Sequence, residues 1–352
     1  MNKYHIATVP GDGIGQEVIP QSVKVLQVVA AACGFELSFS YYDYSCEHYK
    51  NHGKMMPDDG LERLRDSDGI FLGAVGYPGV PDHVSLWGLL IPIRRTFQQY
   101  VNLRPVRLLK GIDSPLREPG NIDFYIVREN NEGEYSSIGG KMYEGTDQEL
   151  VVQESLFTRK GVDRVMRFAF ELASSRRQKV TSATKSNGIV HTMPYWDERF
   201  RIVGMQYPQI TQEQFHVDIL AAHFVQRPDQ FDVVVASNLF GDILSDLGPA
   251  VVGGMGIAPG ANINPEKEFP SMFEPVHGSA PDIAGKNIAN PIGCFWTAVM
   301  MLEHLGEIDA AGLLMDAIEH TTEEGKVRTP DLGGKASTQE MTRAVMDKIR
   351  KE

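Results

Sequence analysis

Apolar residues along the chain recur at two spacings. Short runs that alternate or are wholly apolar carry the two-residue period of extended strands: Tyr4 to Val9, Phe35 to Tyr42, Gly69 to Val75, Asn102 to Arg107, Phe124 to Glu129, Lys179 to Ala183 and Phe231 to Ser237. Between them lie longer stretches with helical spacing. Gln16 to Ala32 turns Val18, Val25, Leu26 and Val29 inward; a helix from about Ile93 carries Arg94; Phe157 to Arg176 and Gly188 to Phe200 follow. Strand and helix taking turns predicts an α/β protein with largely parallel strands. Gly133 to Gln148 has glycine and tyrosine but no apolar period, which predicts a hairpin or arm reaching away from the core, of the kind that pairs with a second subunit. From Gly253 to Pro281 the chain is a Gly/Pro-rich loop, and three helices are predicted near Ile292 to His304, Ala310 to Glu323 and Thr338 to Arg350. No repeat and no low-complexity linker interrupts this order, so a second domain must be inserted in the first or packed tightly on it.

Composition narrows the partners. A chain of 352 residues is long enough for two domains, and its 42% hydrophobic and 23% charged residues are ordinary for a globular protein. The formal charge of −12, with no basic stripe, argues against nucleic acid or an anionic membrane surface as partner. Cys33, Cys46 and Cys294 are scattered, without metal or redox spacing, and read as small core residues in a reducing compartment. The N-terminal stretch lacks an apolar run of signal-peptide length, and no segment approaches the roughly 20 apolar residues of a membrane span, so a cytoplasmic protein is expected.

Candidate chemistry is concentrated in a few segments. In NLFGDILSDLGP, Asp242 and Asp246 stand four residues apart, on one face of a helix that follows a buried strand. Two neighbouring carboxylates among Leu239, Phe240, Ile243, Leu244 and Leu247 favour a cation between them, and oxygen-only ligation favours Mg²⁺ or Mn²⁺. Arg94, Arg104 and Arg128 each sit at the edge of a predicted element; as a set they suit a substrate with two carboxylates, whereas singly each reads as a surface ion pair. Lys185, in TKSNG, lies at the carboxyl end of a strand, where ligands of open α/β sheets collect; taken alone it reads first as a surface lysine, and near a metal and other cations as a base for an alcohol proton. Tyr135 in the arm is a candidate acid, though one of 12 tyrosines. GDGIG, Gly11 to Gly15, has the wrong spacing for a dinucleotide fingerprint and reads equally as a tight turn beside a site or as a direct contact. His191 and His277 lack metal-ligand spacing, and the loop EPVHGSAPDIAGKNIANP reads equally as a Gly/Pro surface loop or as one that closes around an adenosine and offers Asp282 to ribose hydroxyls.

Taken together, GDGIG, NLRP, VREN, TKSNG, NLFGDILSD, HGSAPDIAGK and TPDLGG resemble the β-decarboxylating dehydrogenase family of isopropylmalate, isocitrate, homoisocitrate, D-malate and tartrate dehydrogenases, over essentially the whole chain. The resemblance implies a two-domain isocitrate/isopropylmalate dehydrogenase-like α/β fold that is not a Rossmann fold. Its large cofactor-binding domain would comprise residues 1–99 and 253–352, and its small domain residues 100–252, with a dimer-forming arm at about 133–150. It further implies NAD and Mn²⁺ or Mg²⁺ as cofactors, with a monovalent cation such as potassium as a further candidate, and a homodimer with shared active sites. By the same resemblance Arg94, Arg104 and Arg128 would hold the substrate carboxylates, while Asp242 and Asp246 with Asp218 would hold the metal. Lys185 would be the base and Tyr135 the acid, and Lys185 and Asp218 would come from the partner subunit. His277, Gly278, Ser279, Ala280, Asp282, Ile283, Asn290 and Asp331 would contact the cofactor, and Asp282-Ile283 resembles the NAD-using members. In SLWGLLI, Ser85 to Ile91, Trp87 stands where isopropylmalate enzymes have an acidic residue; with Leu90 it leaves little room beyond a C4 dicarboxylate. The segment is similar to the tartrate and D-malate members, which implies oxidation of tartrate to oxaloglycolate, of D-malate to pyruvate and CO₂, and decarboxylation of meso-tartrate to D-glycerate. The alternatives are a 3-isopropylmalate dehydrogenase and a catalytically silent nucleotide-binding protein.

Overall fold

The computed structural model describes residues 1–350. Its frame is a ten-stranded mixed sheet, built from β1 (Lys3–Gly11), β2 (Glu36–Tyr41), β3 (Gly69–Ala74), β4 (Val101–Arg107) and β5 (Asp123–Glu129), with β8 (Lys179–Thr184), β9 (Thr211–His216), β10 (Val233–Ala236), β11 (Ala261–Ile263) and β12 (Ser271–Phe273). The order across the sheet is β2-β1-β3-β12-β11-β4-β5-β10-β8-β9, and β6 (Gly139–Met142) pairs only with β7 (Leu150–Gln153). One half therefore uses strands from both ends of the sequence and the other uses strands from its middle. The seam is antiparallel, β12 to β11 to β4 to β5, while the flanking pairs are parallel. This mixture distinguishes the sheet from an all-parallel Rossmann sheet.

Side-chain alternation divides the core. On β3, Phe71 joins the main cluster while Ile70 and Leu72 face a smaller one with Leu89, Ile93, Phe97 and Met272. That smaller core anchors the helix Ile91–Thr96, so burial of Ile93 and Phe97 aims Arg94. On the main face the helices Gly15–Cys33, Ile292–Leu305, Ile308–Glu324 and Thr338–Ile349 pack on one another; Ile292 through Leu302 are buried without interruption.

The predicted strands and helices are present, the helices Cys46–His52, Gly60–Arg65 and Val217–Gln226 are additional, and three further differences stand out. The helix expected from Gly188 starts at Thr192 and runs to Gly204, after a turn in which the N–H groups of Gly188 and Ile189 bond to the Lys185 carbonyl. β9 reads as polar sequence, TQEQFH, because it is an edge strand that gives only Phe215 to the core. β11 and β12, three residues each, fall inside the expected Gly/Pro loop and are too short to show a period. The arm is an exposed hairpin, every residue of β6 and β7 facing outward.

Candidate active site

Strand register brings two of the arginines together. Asn102 lies opposite Arg128 across β4 and β5, and Arg104 is two residues on, so all three share a face. Arg128 sits under the helix Asn238–Val251, donating through Nε and Nη2 to Asn238 Oδ1, at 3.0 and 2.7 Å, and pairing with Asp242. Its stem fits only because residue 241 is glycine: a Cβ there would stand 2.6 Å from Arg128 Cβ. Arg94 reaches the same cluster from its own helix and donates to Glu274 at 2.8 Å. All three arginines are buried. Burial and the charge of Arg128 push Arg104 down to about 10, still cationic at neutral pH.

Asp242 and Asp246 lie one turn apart on that helix, as their spacing predicts. Burial would raise the Asp242 carboxyl, but Arg128, the Tyr135 hydroxyl and the other two arginines hold it below the usual range. Tyr135 Oη donates to Asp242 at 2.6 Å, and burial together with that bond pushes the phenol up to about 12. Asp246 behaves oppositely: burial and the charge of Asp242 raise its carboxyl, and among the described residues no side chain bonds to it. Three arginines thus face Asp242, Asp246 and Glu274. A divalent cation and a dicarboxylate would enter that balance together without leaving a net buried charge.

Lys185 and Asp218 occupy the neighbouring strand ends, after β8 and β9, and pair with each other at 2.9 Å, which lowers the Asp218 carboxyl. Their side chains are 31% and 60% exposed. Neither bonds to Asp242 or Asp246, and among the described residues no group of three His, Cys, Asp or Glu side chains is placed to hold a metal. Close to them in sequence, Ile189, Val190 and Ile219 are exposed.

The loop after β12 is held by its neighbours. His277 is buried, its Nε2 has no partner, and desolvation lowers its basicity. Ser279 is clamped by GDGIG: Ile14 N–H donates to its carbonyl at 2.8 Å, and a Cβ at Gly13 would fall 2.0 Å from that oxygen. GDGIG is therefore a tight turn against this loop, with φ of 72° at Gly11 and 53° at Gly13. Asn290 donates to Asp331 at 2.9 Å. Gly278 and Asp282 are exposed, and Ala280 and Ile283 half-buried, between the buried His277 and Ser279 and the buried Asn290.

Trp87 and Leu90, both half-buried, lie on a widened turn, Leu86–Leu90, closed by the Ile91 N–H on the Leu86 carbonyl. His191 stands at the start of its helix without capping it. Sequence reasoning passed over Glu274, Asn102, Asn262 and Glu134. Asn262 donates to Glu274 at 2.8 Å and accepts from Asn102 at 2.9 Å, which ties Arg94 to the strand of Arg104. Glu134 accepts from Leu239 N–H at 3.1 Å and Ser237 Oγ at 2.7 Å, capping the aspartate helix. The available signals were the Glu-Pro before VHGS and the two-residue spacing of Asn102 and Arg104.

Comparison with known proteins gives the family of the chain. A family model described as isocitrate/isopropylmalate dehydrogenase matches residues 5–345. The chain is 58% identical over 355 residues to D-malate dehydrogenase (decarboxylating) of Escherichia coli strain K12, covering 98% of each. It is 55% identical over 359 residues to tartrate dehydrogenase/decarboxylase of Pseudomonas putida, covering 99% of this chain and 98% of that one. The crystal structure of isocitrate dehydrogenase from Methylococcus capsulatus superposes with a TM-score of 0.87 at 34% identity, over 99% of this chain and all of that one.

Proposed function

The chain belongs to the isocitrate/isopropylmalate dehydrogenase family, and within it we propose that it oxidises C4 2-hydroxy dicarboxylates. D-malate is converted to pyruvate and CO₂, tartrate to oxaloglycolate, and meso-tartrate is decarboxylated to D-glycerate. The observation that carries this reading is the cluster of three buried arginines against two carboxylates one helical turn apart. Its restriction to C4 substrates rests on Trp87, in the turn that runs into the helix of Arg94, and on the relatives named for D-malate and tartrate.

Arg94, Arg104 and Arg128 grip the two substrate carboxylates. Asp242 and Asp246, with Asp218 of the partner subunit, are an all-oxygen set suited to Mn²⁺ or Mg²⁺, and the raised, unpartnered Asp246 fits such an ion. The unpartnered Nε2 of buried His277 fits a cofactor group, and the loop from His277 to Asn290 with Asp331 would hold NAD. When bound, NAD would supply the acceptor for the hydride of carbon-2 and the divalent cation would supply charge that polarises the adjacent oxygen; potassium is the monovalent candidate. Lys185 of the partner subunit takes the hydroxyl proton. Tyr135, held protonated at neutral pH, protonates carbon-3 after CO₂ leaves.

A homodimer completes this site. The exposed Lys185–Asp218 pair, its exposed apolar neighbours in sequence and the outward Met142, Leu150, Val151 and Val152 of the hairpin support it. The two halves of the sheet support a large domain of residues 1–99 and 253–352 and a small one of 100–252. No helix of the described residues is long and apolar enough to cross a membrane, and three unpaired cysteines agree with a cytoplasmic setting. The test is a mixture. Lys185→Ala and Asp242→Asn proteins are each expected to be inactive in D-malate-dependent, Mn²⁺-dependent NADH formation, and to regain activity when co-refolded, because a hybrid dimer has one complete site. Lack of recovery despite hybrid formation would remove the shared-site reading.

A further inference from the structure

Arg95 follows Arg94 in the same helix yet faces elsewhere. Its guanidinium lies 5.1 Å from the centroid of the Trp87 ring, and its Nη2 donates to the backbone carbonyl of Tyr135 at 2.8 Å. Trp87 is itself held in place, because the next residue, Gly88, packs so closely on Met55 that a Cβ would stand 2.7 Å from Met55 Cγ. At the other end, the Tyr135 hydroxyl is 2.6 Å from Asp242. A continuous path therefore runs from the wall that limits substrate size to the proposed proton donor: Trp87, Arg95, Tyr135, Asp242.

Resting on the C4-dicarboxylate reading above, we propose that Arg95 is a positioning residue that couples Trp87 to Tyr135 and thereby decides whether an oxidised substrate is decarboxylated before it leaves. Once hydride and hydroxyl proton have left D-malate, the C3–C4 bond of oxaloacetate breaks. CO₂ departs and the electron pair stays in an enolate over carbons 2 and 3. The Tyr135 phenol proton then turns the methylene into the methyl of pyruvate, and water reprotonates the phenolate. The Arg95 bond fixes the backbone from which the Tyr135 ring extends. Without it, proton delivery slows, CO₂ has time to recombine, and oxaloacetate escapes. Hydride transfer, which does not use Tyr135, is unaffected. The segment stays docked in an Arg95 variant because Glu134 still caps the aspartate helix through Leu239 N–H and Ser237 Oγ.

The test uses full-length enzyme with Mn²⁺ and added oxaloacetate, measuring decarboxylation to pyruvate and, separately, reduction by NADH. In Arg95→Met, decarboxylation is expected to fall about five- to tenfold, the loss of one hydrogen bond, while reduction stays within about twofold. Arg95→Lys, which keeps a donor and a cation, is expected to recover most of the decarboxylation. In a Tyr135→Phe background Arg95→Met should add nothing, because it acts through that residue. Arg95→Gln takes the place of the methionine variant if the latter is unstable, with a shift in the same direction expected. Equal losses in both reactions, no loss in either, or additivity with Tyr135→Phe would overturn the proposal. If the unmodified enzyme formed no NADH from D-malate, the underlying reading would fall instead, so the two failures are distinguishable.

Discussion

Gly241→Ala places a methyl group where the stem of Arg128 passes the aspartate helix. The new Cβ would lie 2.6 Å from both Arg128 Cβ and Cγ, whereas carbon atoms rest about 3.5–4.0 Å apart, so something must move by about 1 Å. Arg128 has little room to yield: its guanidinium is held by Asn238 and Asp242, and its backbone lies in β5 between β4 and β10. Overpacking of this kind costs about 1–3 kcal/mol. Alanine is the better helix former by about 1 kcal/mol, so the net loss of stability should be only about 0–2 kcal/mol. Activity should suffer more, because a displacement of about 1 Å in a gripping group costs about 100-fold. Gly312→Ala is the matched control. It lies in the helix Ile308–Glu324 with nothing within 4 Å of its added Cβ, so it should gain up to about 1 kcal/mol and leave kinetics unchanged. The assay is kcat/KM for D-malate and KM for NAD, alongside urea unfolding. A fall of about 30- to 100-fold in kcat/KM, with KM for NAD within about twofold, is expected for Gly241→Ala. Wild-type turnover of D-malate by that variant, with the control behaving as described, would refute the idea that Arg128 must sit here to grip the substrate.

Three further outcomes are expected. Glu129 is buried, and burial pushes its carboxyl to about 7 even though the N–H groups of Asn131 and Glu132 bond to it. Its folded value exceeds its unfolded one, so its contribution to stability is fully present below about pH 4.5 and is lost, by about 3 kcal/mol, as pH rises to about 7. Urea unfolding at pH 5 and 8 should show this component in the wild type and not in Glu129→Gln. Glu17 accepts the backbone N–H groups of Gly285 and Asn287, fastening the cofactor loop to the first helix; Glu17→Gln should raise KM for NAD about fivefold and leave KM for D-malate alone, as initial rates will show. Val151, 59% exposed on the hairpin, should tolerate aspartate in the monomer with a stability change within about 0.5 kcal/mol. Sedimentation of Val151→Asp should show monomers, and these should be inactive; an active monomer would speak against shared sites.

Legibility in the sequence followed the range of each interaction. The aspartate helix could be read because its signal is local: two carboxylates at helical spacing among apolar residues, after a buried strand. The strands β3, β5 and β10 were equally plain, since burial on both faces leaves near-continuous apolar runs. The three arginines could be named individually, but their convergence depends on the β4–β5 register and on packing under Ile93, which no local pattern states. Asn102 and Asn262 meet across 160 residues of sequence. Arg94 and Glu274 meet across 180. Such partnerships arise only when the sheet seam forms. The seam strands β11 and β12 are too short to carry a period, so the residues that unite the site were the hardest to foresee.

The most direct measurement is NADH formation by the purified enzyme in Mn²⁺ with D-malate, L-tartrate and 3-isopropylmalate side by side, with pyruvate trapped enzymatically. NADH from D-malate and tartrate, with pyruvate from D-malate and little turnover of isopropylmalate, is the expected result. Turnover of isopropylmalate alone would keep the family and contradict the assignment of Trp87 as the wall that limits the substrate to four carbons.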